Sequence, residues 1–347
     1  MREPPAMIES SAAVTIADVP AAVRVCAPGR LHLGFLDPSG SLGRRFGSVG
    51  LVIDGFESEV VISSSREDAV IADTPAARAE LDRMVACLQR LREHTGRRDR
   101  LVLRLRRALP AHAGFGSGTQ LALAVGRAFA LWQGLNIATT TLAQWLGRGL
   151  RSGVGIAGFD HGGLLVDGGP GADGAPAPLL ARVALPQGWR IVVAMDERVR
   201  GLSGPDERAA IAALPPLSQA KAADICHQVL MRVLPGAAQA QFADFAAGIN
   251  RVQRLLGDHF APAQSGSRWT SPAVGRLMQW CQASQGNGAA IGQSSWGPTG
   301  FAIVQSAAAA QGLVEAAHSA GVVDAALTLR VVAGRNHGAV VEPHRPR

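Results

Sequence analysis

Residues 109–132 read LPAHAGFGSGTQLALAVGRAFALW and contain the transition that decides the fold. Gly114, Gly116 and Gly118 alternate, so side chains are absent where a backbone has to approach a ligand closely. Polar residues 117–120 follow, and the apolar positions of residues 121–132 then recur at helical spacing. A glycine-rich turn that leads into a helix presents free N–H groups and the positive end of the helix dipole. The stretch therefore predicts a phosphate site.

This loop differs from two well-known nucleotide loops. No Lys-Ser or Lys-Thr pair follows the glycines, as a Walker A loop requires. The third glycine is misplaced for a dinucleotide fingerprint, and Pro110 and His112 interrupt the step from strand to turn. On this stretch alone, a phosphate site and an ordinary glycine turn capped by Ser117 or Thr119 are about equally well supported.

Length and composition predict a two-domain cytoplasmic protein. The chain has 347 residues, of which 47% are apolar, enough for sizeable cores. Four scattered cysteines form no CxxC pair or Cys/His cluster, so we expect reduced thiols and no structural zinc. Acidic residues and prolines interrupt the first 23 residues, and no apolar run reaches membrane-spanning length, so we expect neither a signal peptide nor a membrane partner.

The net charge of +7 comes almost entirely from arginine, and Lys221 is the single lysine. Arginine suits bidentate binding of phosphates and carboxylates. The densest arginine cluster, within residues 97–107, has no interleaved aromatic residues on which bases could stack. We therefore interpret this cluster as a solvated strand edge and expect no nucleic-acid partner.

A second candidate segment precedes the glycine loop. Residues 30–35 alternate as a strand, with the apolar side chains on one face and Arg30 and His32 on the other. A turn-rich loop over residues 37–47 follows and bears Arg44 and Arg45. In this loop, Asp37 before Pro38 is as well explained by a turn as by a ligand role.

Two more glycine-rich stretches complete the pattern. Residues 153–163 precede the strand 164–167 and place Asp160 in a predicted turn, while residues 292–300 precede the strand 301–304. Residues 168–188 have the composition of a linker. Helices are predicted over residues 76–94, 121–132, 139–150, 206–213, 217–234, 238–256, 272–284 and 306–319.

The three glycine stretches together resemble the superfamily of galactokinase, homoserine kinase, mevalonate kinase and phosphomevalonate kinase. Within it, three features resemble the β-ribofuranosylaminobenzene 5′-phosphate synthases of tetrahydromethanopterin biosynthesis. These are the segment from Arg30 to Asp37, the sequence Ser117-Gly118-Thr119, and Gly201-Leu-Ser-Gly204. The Ser-Ser-Ala and Glu-His elements of typical kinases in the superfamily do not occur at these points.

The resemblance implies an α+β fold with two domains. The first, residues 23–170, would contain a mixed sheet with helices and the phosphate loop. An extension (residues 1–22) precedes it, a linker (171–188) follows, and residues 189–347 would form a ferredoxin-like α/β sandwich.

The resemblance also implies a reaction. Phosphoribosyl pyrophosphate and 4-aminobenzoate or 4-hydroxybenzoate would give a C-riboside, carbon dioxide and pyrophosphate, without ATP. Mg²⁺ is chemically compatible with the pyrophosphate, but no metal ligand is assigned. A homodimer is expected by family analogy, and the sequence does not choose between the two benzoates.

Candidate residues fall into two groups. Asp160, His32 and Arg30 are the catalytic candidates, with Asp160 facing the cationic ribosyl centre. His32 or His161 would orient the donor group of the arene or the departing pyrophosphate. Phosphate and carboxylate binding is assigned to the residues Gly114, Gly116, Ser117, Gly118, Thr119, Arg44, Arg45, Gly292, Ser294, Ser295 and Gly297.

Structural roles remain as alternatives. His32 could be an ordinary strand histidine, Asp160 and Asp167 could belong to turns, and Trp296 could be a core residue instead of a wall for an aromatic acid. For the whole chain, the alternatives are an ATP-dependent small-molecule kinase and a non-catalytic ligand sensor.

Overall fold

The computed structural model describes residues 20–171, 174–201 and 204–344. These residues form two sheets with helices packed on both. The expected α+β class and two-sheet architecture are confirmed. No helix among the described residues is long and apolar enough to cross a membrane.

The first sheet is built on a long antiparallel pair, β1 (Ala22–Asp37) and β2 (Phe46–Ser64). Its strand order is β11-β1-β2-β4-β3, with β5 paired to β2 and β6 paired to β5. The remaining strands are β3 (Ala69–Ala72), β4 (Leu101–Arg107), β5 (Leu164–Asp167), β6 (Leu179–Val183) and β11 (Val340–His344). Two register shifts in β1 lie on either side of the Arg30–His32 pair, so the strand is irregular where the candidate residues lie.

Five helices accompany this sheet, and α3 is the most deeply buried. They are α1 (Pro75–Arg78), α2 (Leu81–Thr95), α3 (Ser117–Trp132), α4 (Thr139–Trp145) and α5 (Val154–His161). Eleven of the sixteen residues of α3 are buried, because it contacts β1, β2 and the helices α2, α4 and α5. A helix that is apolar on nearly every side belongs in a core, so the glycine loop that precedes α3 is held by a firmly packed element.

The second sheet is antiparallel in the order β10-β7-β9-β8. Its strands are β7 (Arg190–Asp196), β8 (Ala290–Gln293), β9 (Thr299–Val304) and β10 (Leu327–Ala333). Its helices are α6 (Gly204–Ala213), α7 (Gln219–Gln228), α8 (Leu234–Ala238), α9 (Phe242–Phe260), α10 (Pro272–Gln285) and α11 (Ala307–Ser319), and a π-helical turn at Val229–Val233 joins α7 to α8.

One continuous hydrophobic cluster joins the two halves. It includes Leu31 and Leu51 from the first sheet and Phe245, Ile249 and Phe301 from the second half. Helix α9 also packs directly on β1, where a side chain at Gly34 would come within 2.4 Å of Leu256. Because buried apolar contacts span both halves, the cleft between them has firmly packed walls.

Four sequence expectations need correction. Part of the predicted linker is strand β6, and β11, which we assigned to the second domain, pairs with β1 of the first sheet. The stretch around Asp160 is helix α5 instead of a turn. The arginines of β4 lie on an exposed face of a strand flanked by β2 and β3, not at a sheet edge, and pair with Glu57, Glu59 and Asp73. The proposed division into domains otherwise stays a prediction.

Candidate active site

The first and third glycine loops are in direct contact, and Ser294 joins them. The Ser294 hydroxyl accepts a hydrogen bond from the His32 N–H (2.9 Å) and donates one to the Gly114 carbonyl (2.7 Å). A side chain at Gly297 would lie 2.6 Å from the Ala113 carbonyl oxygen, and one at Gly114 would lie 2.7 Å from that of Ser294. Glycine is therefore required at both positions for the loops to approach, and the structure brings these predicted residues together.

The glycine loop leads directly into a helix, as predicted, and its role as an anion site stays a prediction. Gly116 adopts a left-handed conformation (φ +74°) and caps α3, which begins at Ser117, four residues earlier than predicted. N–H groups in the first turn of a helix have no intrahelical acceptor. Ser117, Gly118 and Thr119 line a cavity, so this end of the helix is presented to a ligand.

That cavity, which we call the arginine cavity, has a volume of about 700 Å³. It lies between the glycine loops, and five arginines contribute to its lining: Arg30, Arg45, Arg83, Arg148 and Arg151. Among the described lining residues Glu207 is the single carboxylate. Five guanidinium groups against one carboxylate make the cavity suited to an anionic ligand that carries several charges.

Arg30 lies beneath the glycine loop. One of its guanidinium nitrogens, Nη1, donates to the Gly114 carbonyl at 2.7 Å, and a side chain at Gly116 would lie 3.1 Å from Cζ. Burial lowers the pKa of Arg30 to about 10, so the group keeps its charge at neutral pH. Its Nε is buried and has no hydrogen-bond partner within the described parts of the chain.

Arg148 and Arg151 were missed by sequence reasoning. Burial lowers the pKa of Arg148, whose Nη1 lies 3.4 Å from where a Gly118 side chain would begin. Arg151 forms a 2.7 Å ion pair with Glu207. Neither Arg148 Nε nor Arg151 Nη1 finds a hydrogen-bond partner among residues 20–171, 174–201 and 204–344. The available signal was the sequence Gly147-Arg-Gly-Leu-Arg151, where glycines alternate with cations directly before the second glycine stretch.

His32 is a neutral imidazole at the wall of the cavity. Burial first, then the charges of Arg30 and Arg151, hold its pKa well below the usual 6.5. The residue is 3% exposed, and neither ring nitrogen has a hydrogen-bond partner in the described structure. Two unpaired polar atoms in a buried side chain are costly, which argues for a functional role over the ordinary strand histidine.

A second cavity of about 610 Å³, the amide cavity, shares His32, Phe35 and Ser295 with the arginine cavity. It extends between β1, α9, α10 and β8 and is rich in asparagine and glutamine side chains. Gly292 of β8 lies behind the lining residue Gln253: a side chain at Gly292 would collide with Gln253, which donates to the Leu33 carbonyl. Two ligands in neighbouring cavities would meet at the three shared residues.

Asp160, which we predicted to be catalytic, does not line the arginine cavity. It lies near the end of α5, is exposed, and accepts a 2.6 Å hydrogen bond from the Thr139 hydroxyl. It is absent from the lining of the arginine cavity, and His161 beside it is also exposed. The expectation placed Asp160 in a turn that reaches the site, whereas the residue belongs to helix α5 and its carboxylate bonds to Thr139.

The remaining candidate residues differ in whether they line the arginine cavity. Arg45 lines the arginine cavity, but Arg44 is exposed outside that lining and donates to the Gly169 carbonyl. Asp37 accepts four hydrogen bonds from residues 39–42, and Asp167 accepts from the N–H groups of Gly153, Val154 and Gly169, so both are structural. Trp296 is buried and also lines the cavity.

The Gly-Leu-Ser-Gly segment reaches the same site. The Gly201 N–H donates to the His112 carbonyl at 3.0 Å, and a side chain at Gly201 would collide with the Trp296 carbonyl oxygen. Leu202 and Ser203 lie outside the described residues. Glu207, a few residues further on, reaches the cavity from α6. This segment therefore borders the contact of the first and third glycine loops.

The described residues contain no group of three or more histidine, cysteine or acidic side chains that could hold a metal. A magnesium ion commonly takes one or two protein carboxylates and completes its coordination with phosphate oxygens and water. Glu207 offers one carboxylate next to the arginines. This donor set is compatible with a metal brought in on a phosphate ligand.

Comparisons with known proteins agree with this architecture. The family model described as the GHMP kinases N terminal domain matches residues 82–163, and the GHMP kinases C terminal model matches residues 235–323. Among solved structures, a homoserine kinase from Cytophaga hutchinsonii superposes over 96% of this chain and 100% of its own (TM-score 0.63, 17% identity). Phosphomevalonate kinase from Streptococcus pneumoniae covers 91% of this chain and 100% of its own (TM-score 0.65, 14% identity).

Comparison with curated proteins identifies a narrower group of relatives than the family models and solved structures do. A protein of Archaeoglobus fulgidus named β-ribofuranosylphenol 5′-phosphate synthase is 34% identical over 82% of this chain and 88% of its own length. The protein of the same name from Methanothermobacter thermautotrophicus is 29% identical over 80% of this chain and 87% of its own. Similarity thus extends over nearly the whole of these relatives.

Proposed function

We propose that this chain, which belongs to the family of the β-ribofuranosylphenol 5′-phosphate synthases, transfers a phosphoribosyl group to an aromatic acid. The donor is phosphoribosyl pyrophosphate, and the acceptor is 4-hydroxybenzoate or 4-aminobenzoate. The products are a C-riboside 5′-phosphate, carbon dioxide and pyrophosphate, with no consumption of ATP.

The observation that carries this proposal is the charge of the arginine cavity. Its lining contains five arginines and the N-terminal end of α3, and Glu207 is the one carboxylate among the described lining residues. Phosphoribosyl pyrophosphate carries a monophosphate and a pyrophosphate at opposite ends of one sugar. We assign Arg30, Arg148 and the glycine loop to one phosphate-bearing end, because these groups adjoin each other.

The reaction balances without an external oxidant or reductant. The bond from the anomeric carbon to the pyrophosphate oxygen breaks, and its electron pair leaves with pyrophosphate. The ring carbon that bears the carboxylate forms the new carbon–carbon bond, with electrons pushed from the para substituent. The bond to the carboxylate then breaks, its electrons restore the aromatic ring, and carbon dioxide departs.

The protein contributes positioning and electrostatics. Guanidinium groups compensate the charge that accumulates on the departing pyrophosphate. With Asp160 outside the cavity, Glu207 is the candidate to face the developing positive charge or a Mg²⁺ ion carried by the pyrophosphate. His32 lines both cavities near the reacting centres, where a neutral ring does not repel the oxocarbenium-like carbon. A homodimer and a cytoplasmic location are proposed from family resemblance alone.

The test is incubation of purified protein with phosphoribosyl pyrophosphate and each benzoate, with Mg²⁺ or with a chelator. We expect carbon dioxide, pyrophosphate and C-riboside in equal amounts, and no dependence on ATP. Turnover that consumes ATP and yields ADP would replace the proposal with the kinase alternative. Binding of phosphoribosyl pyrophosphate without any product would favour the ligand sensor.

A further inference from the structure

One residue that lines the amide cavity carries a hydrogen-bond acceptor that no described residue satisfies. Gln228, at the end of α7, lines this cavity and is 9% exposed. Its Nε2 donates to Asp224 Oδ1 at 2.9 Å, and its Oε1 is buried without a partner among the described residues. Such an atom is costly in a folded protein unless a ligand satisfies it.

The orientation of this amide is determined by its neighbours. Asp224 can only accept hydrogen bonds when ionised, and Arg251 holds it through two bonds of 2.8 and 2.6 Å. The nitrogen of the Gln228 side chain must therefore face Asp224, which leaves the oxygen as the free atom. A ligand at this point has to supply a hydrogen-bond donor.

The rest of the cavity suits a small aromatic molecule. Phe35, Phe260 and Trp269 contribute to its walls, and aromatic side chains pack favourably against another ring. Arginines also lie along its lining, among them Arg254 of α9, which is exposed and attracts a carboxylate. The three residues shared with the arginine cavity, His32, Phe35 and Ser295, give the occupant a common border with the phosphoribosyl donor.

We propose that the amide cavity binds the aromatic acceptor, with Gln228 Oε1 accepting a hydrogen bond from the para hydroxyl or amino group. This inference rests on the proposed function. It places the two substrates in separate cavities that meet at His32, Phe35 and Ser295. It also gives the para substituent a second role, because the group that pushes electrons into the ring is then the group by which the acceptor is recognised.

The experiment compares binding of 4-hydroxybenzoate and unsubstituted benzoate by calorimetry, without turnover. Benzoate leaves Gln228 Oε1 unsatisfied, so the natural protein should bind 4-hydroxybenzoate about tenfold more tightly. Gln228→Met removes the acceptor at similar volume and should reduce this preference to within about twofold. Gln219→Met is the matched control, since Gln219 lies on the same helix, is exposed and bonds to the Ser41 carbonyl.

A second variant tests the cavity itself. Gln279 is an exposed lining residue of α10, so Gln279→Trp narrows the cavity without disturbing the core. We expect 4-hydroxybenzoate to bind at least about fivefold more weakly and phosphoribosyl pyrophosphate to bind within about twofold of normal. Thermal melting shows whether Gln228→Met folds. If it does not fold, Gln279→Trp alone decides whether the amide cavity binds the acceptor.

The two proposals fail in different ways. A tenfold preference retained by Gln228→Met, or unchanged 4-hydroxybenzoate binding in Gln279→Trp, would overturn the acceptor site even if the enzyme is active. Absence of product from phosphoribosyl pyrophosphate and either benzoate would overturn the proposed function instead. Loss of the preference in Gln228→Met but not in Gln219→Met supports the site in either case.

Discussion

Arg148 carries a partly buried charge that forms no ion pair or hydrogen bond with the described residues. Its Nε has no hydrogen-bond partner among the described residues, and burial lowers its pKa. An unpaired buried cation destabilises a protein, whereas a phosphate ligand would compensate it. Arg148→Met should therefore raise the free energy of unfolding by about 0.5–2 kcal/mol. The same variant should weaken binding of phosphoribosyl pyrophosphate at least about tenfold.

Urea unfolding and calorimetric titration check the two effects together. Arg127→Met is the control, because Arg127 donates to the Ile137 carbonyl and to the Thr139 hydroxyl. We expect this control to lose stability and to keep its affinity for the donor. If Arg148→Met behaves in the same way, Arg148 is a structural residue.

His32 makes stability depend on pH. Its pKa in the folded protein lies well below the unfolded value of about 6.5, so the unfolded chain binds a proton that the folded protein excludes. The neutral ring favours folding fully above pH 6.5, and this contribution is lost as the pH falls from 6.5 towards the lowered pKa. The slope approaches about 1.4 kcal/mol per pH unit for one proton.

Urea unfolding at several pH values from 7.5 to 5.5 measures this slope. His32→Gln should unfold with a shallower pH dependence than the natural protein, whatever its stability at pH 7.5. Because His259 also has a lowered pKa and is present in both proteins, the difference between the slopes isolates His32. Parallel curves would contradict the assignment.

At the residue scale, alternation along one strand was sufficient to select Arg30 and His32. It could not find Arg148, Arg151 or Gln228, because their significance comes from neighbours distant in sequence. Asp160 was wrong for a related reason. Residue type and glycine context suggested a turn facing the site, but the hydrogen bond from Thr139 was invisible in the sequence.

The glycine loop is the element whose conformation matters most. Gly116 has φ +74° and a side chain there would lie 3.1 Å from Arg30 Cζ, whereas Gly118 is helical and a side chain would meet only the tip of Arg148 at 3.4 Å. Gly116→Ala should lower the free energy of unfolding by about 1–2 kcal/mol and weaken donor binding, because it strains the backbone and displaces Arg30.

Gly118→Ala, two residues further along the chain, is the matched comparison. Replacing a helical glycine by alanine commonly gains about 0.5–1 kcal/mol. Thermal and urea unfolding of both variants should therefore shift in opposite directions. If both variants lose the same free energy of unfolding, the loop tolerates a side chain at neither position. The positive φ of Gly116 would then not be the reason for the loss.

Element boundaries show where local sequence is insufficient. Helix α3 begins four residues before the predicted start, because the prediction begins at the first apolar residue and treats Ser117–Gln120 as loop. Helix α5 was missed because its beginning is stabilised from outside. The Asp167 carboxylate accepts from the N–H groups of Gly153 and Val154, so a residue on the following strand supplies the cap.

The last described strand, β11, forms one edge of the first sheet beside β1. β11 pairs with residues 22–26 of β1, and Arg24 forms an ion pair with Glu342. A chain that ends at Gly338 would lose this ladder. We expect the free energy of unfolding to fall by about 2–5 kcal/mol, because several ladder hydrogen bonds each contribute about 0.5–1.5 kcal/mol.

Glu342→Ala separates the ladder from the ion pair. This pair is partly exposed, so its loss should cost no more than about 1 kcal/mol. Urea unfolding of both proteins provides the comparison, and light scattering reports whether the uncovered edge of β1 associates. A shortened chain as stable as the natural one would show that β11 is dispensable.

At the scale of the molecule, the two-sheet architecture was implied by resemblance and not by periodicity. The pairing of β11 with β1 could not be predicted, because strand partners far apart in sequence are selected by the assembled sheet. The continuous core between the halves has the same origin. Composition predicted enough apolar residues for it but not which halves would share them.

The single lysine gives this protein an unusual practical property. Lys221 is exposed on α7, seven residues before Gln228, which is two helical turns or about 10 Å along the axis. Besides the α-amino group of the chain, an amine-reactive fluorophore would modify this one side chain, at a defined place on α7, without any engineered cysteine. Changes in its emission would then follow occupancy of the amide cavity in real time, separately from the arginine-lined half.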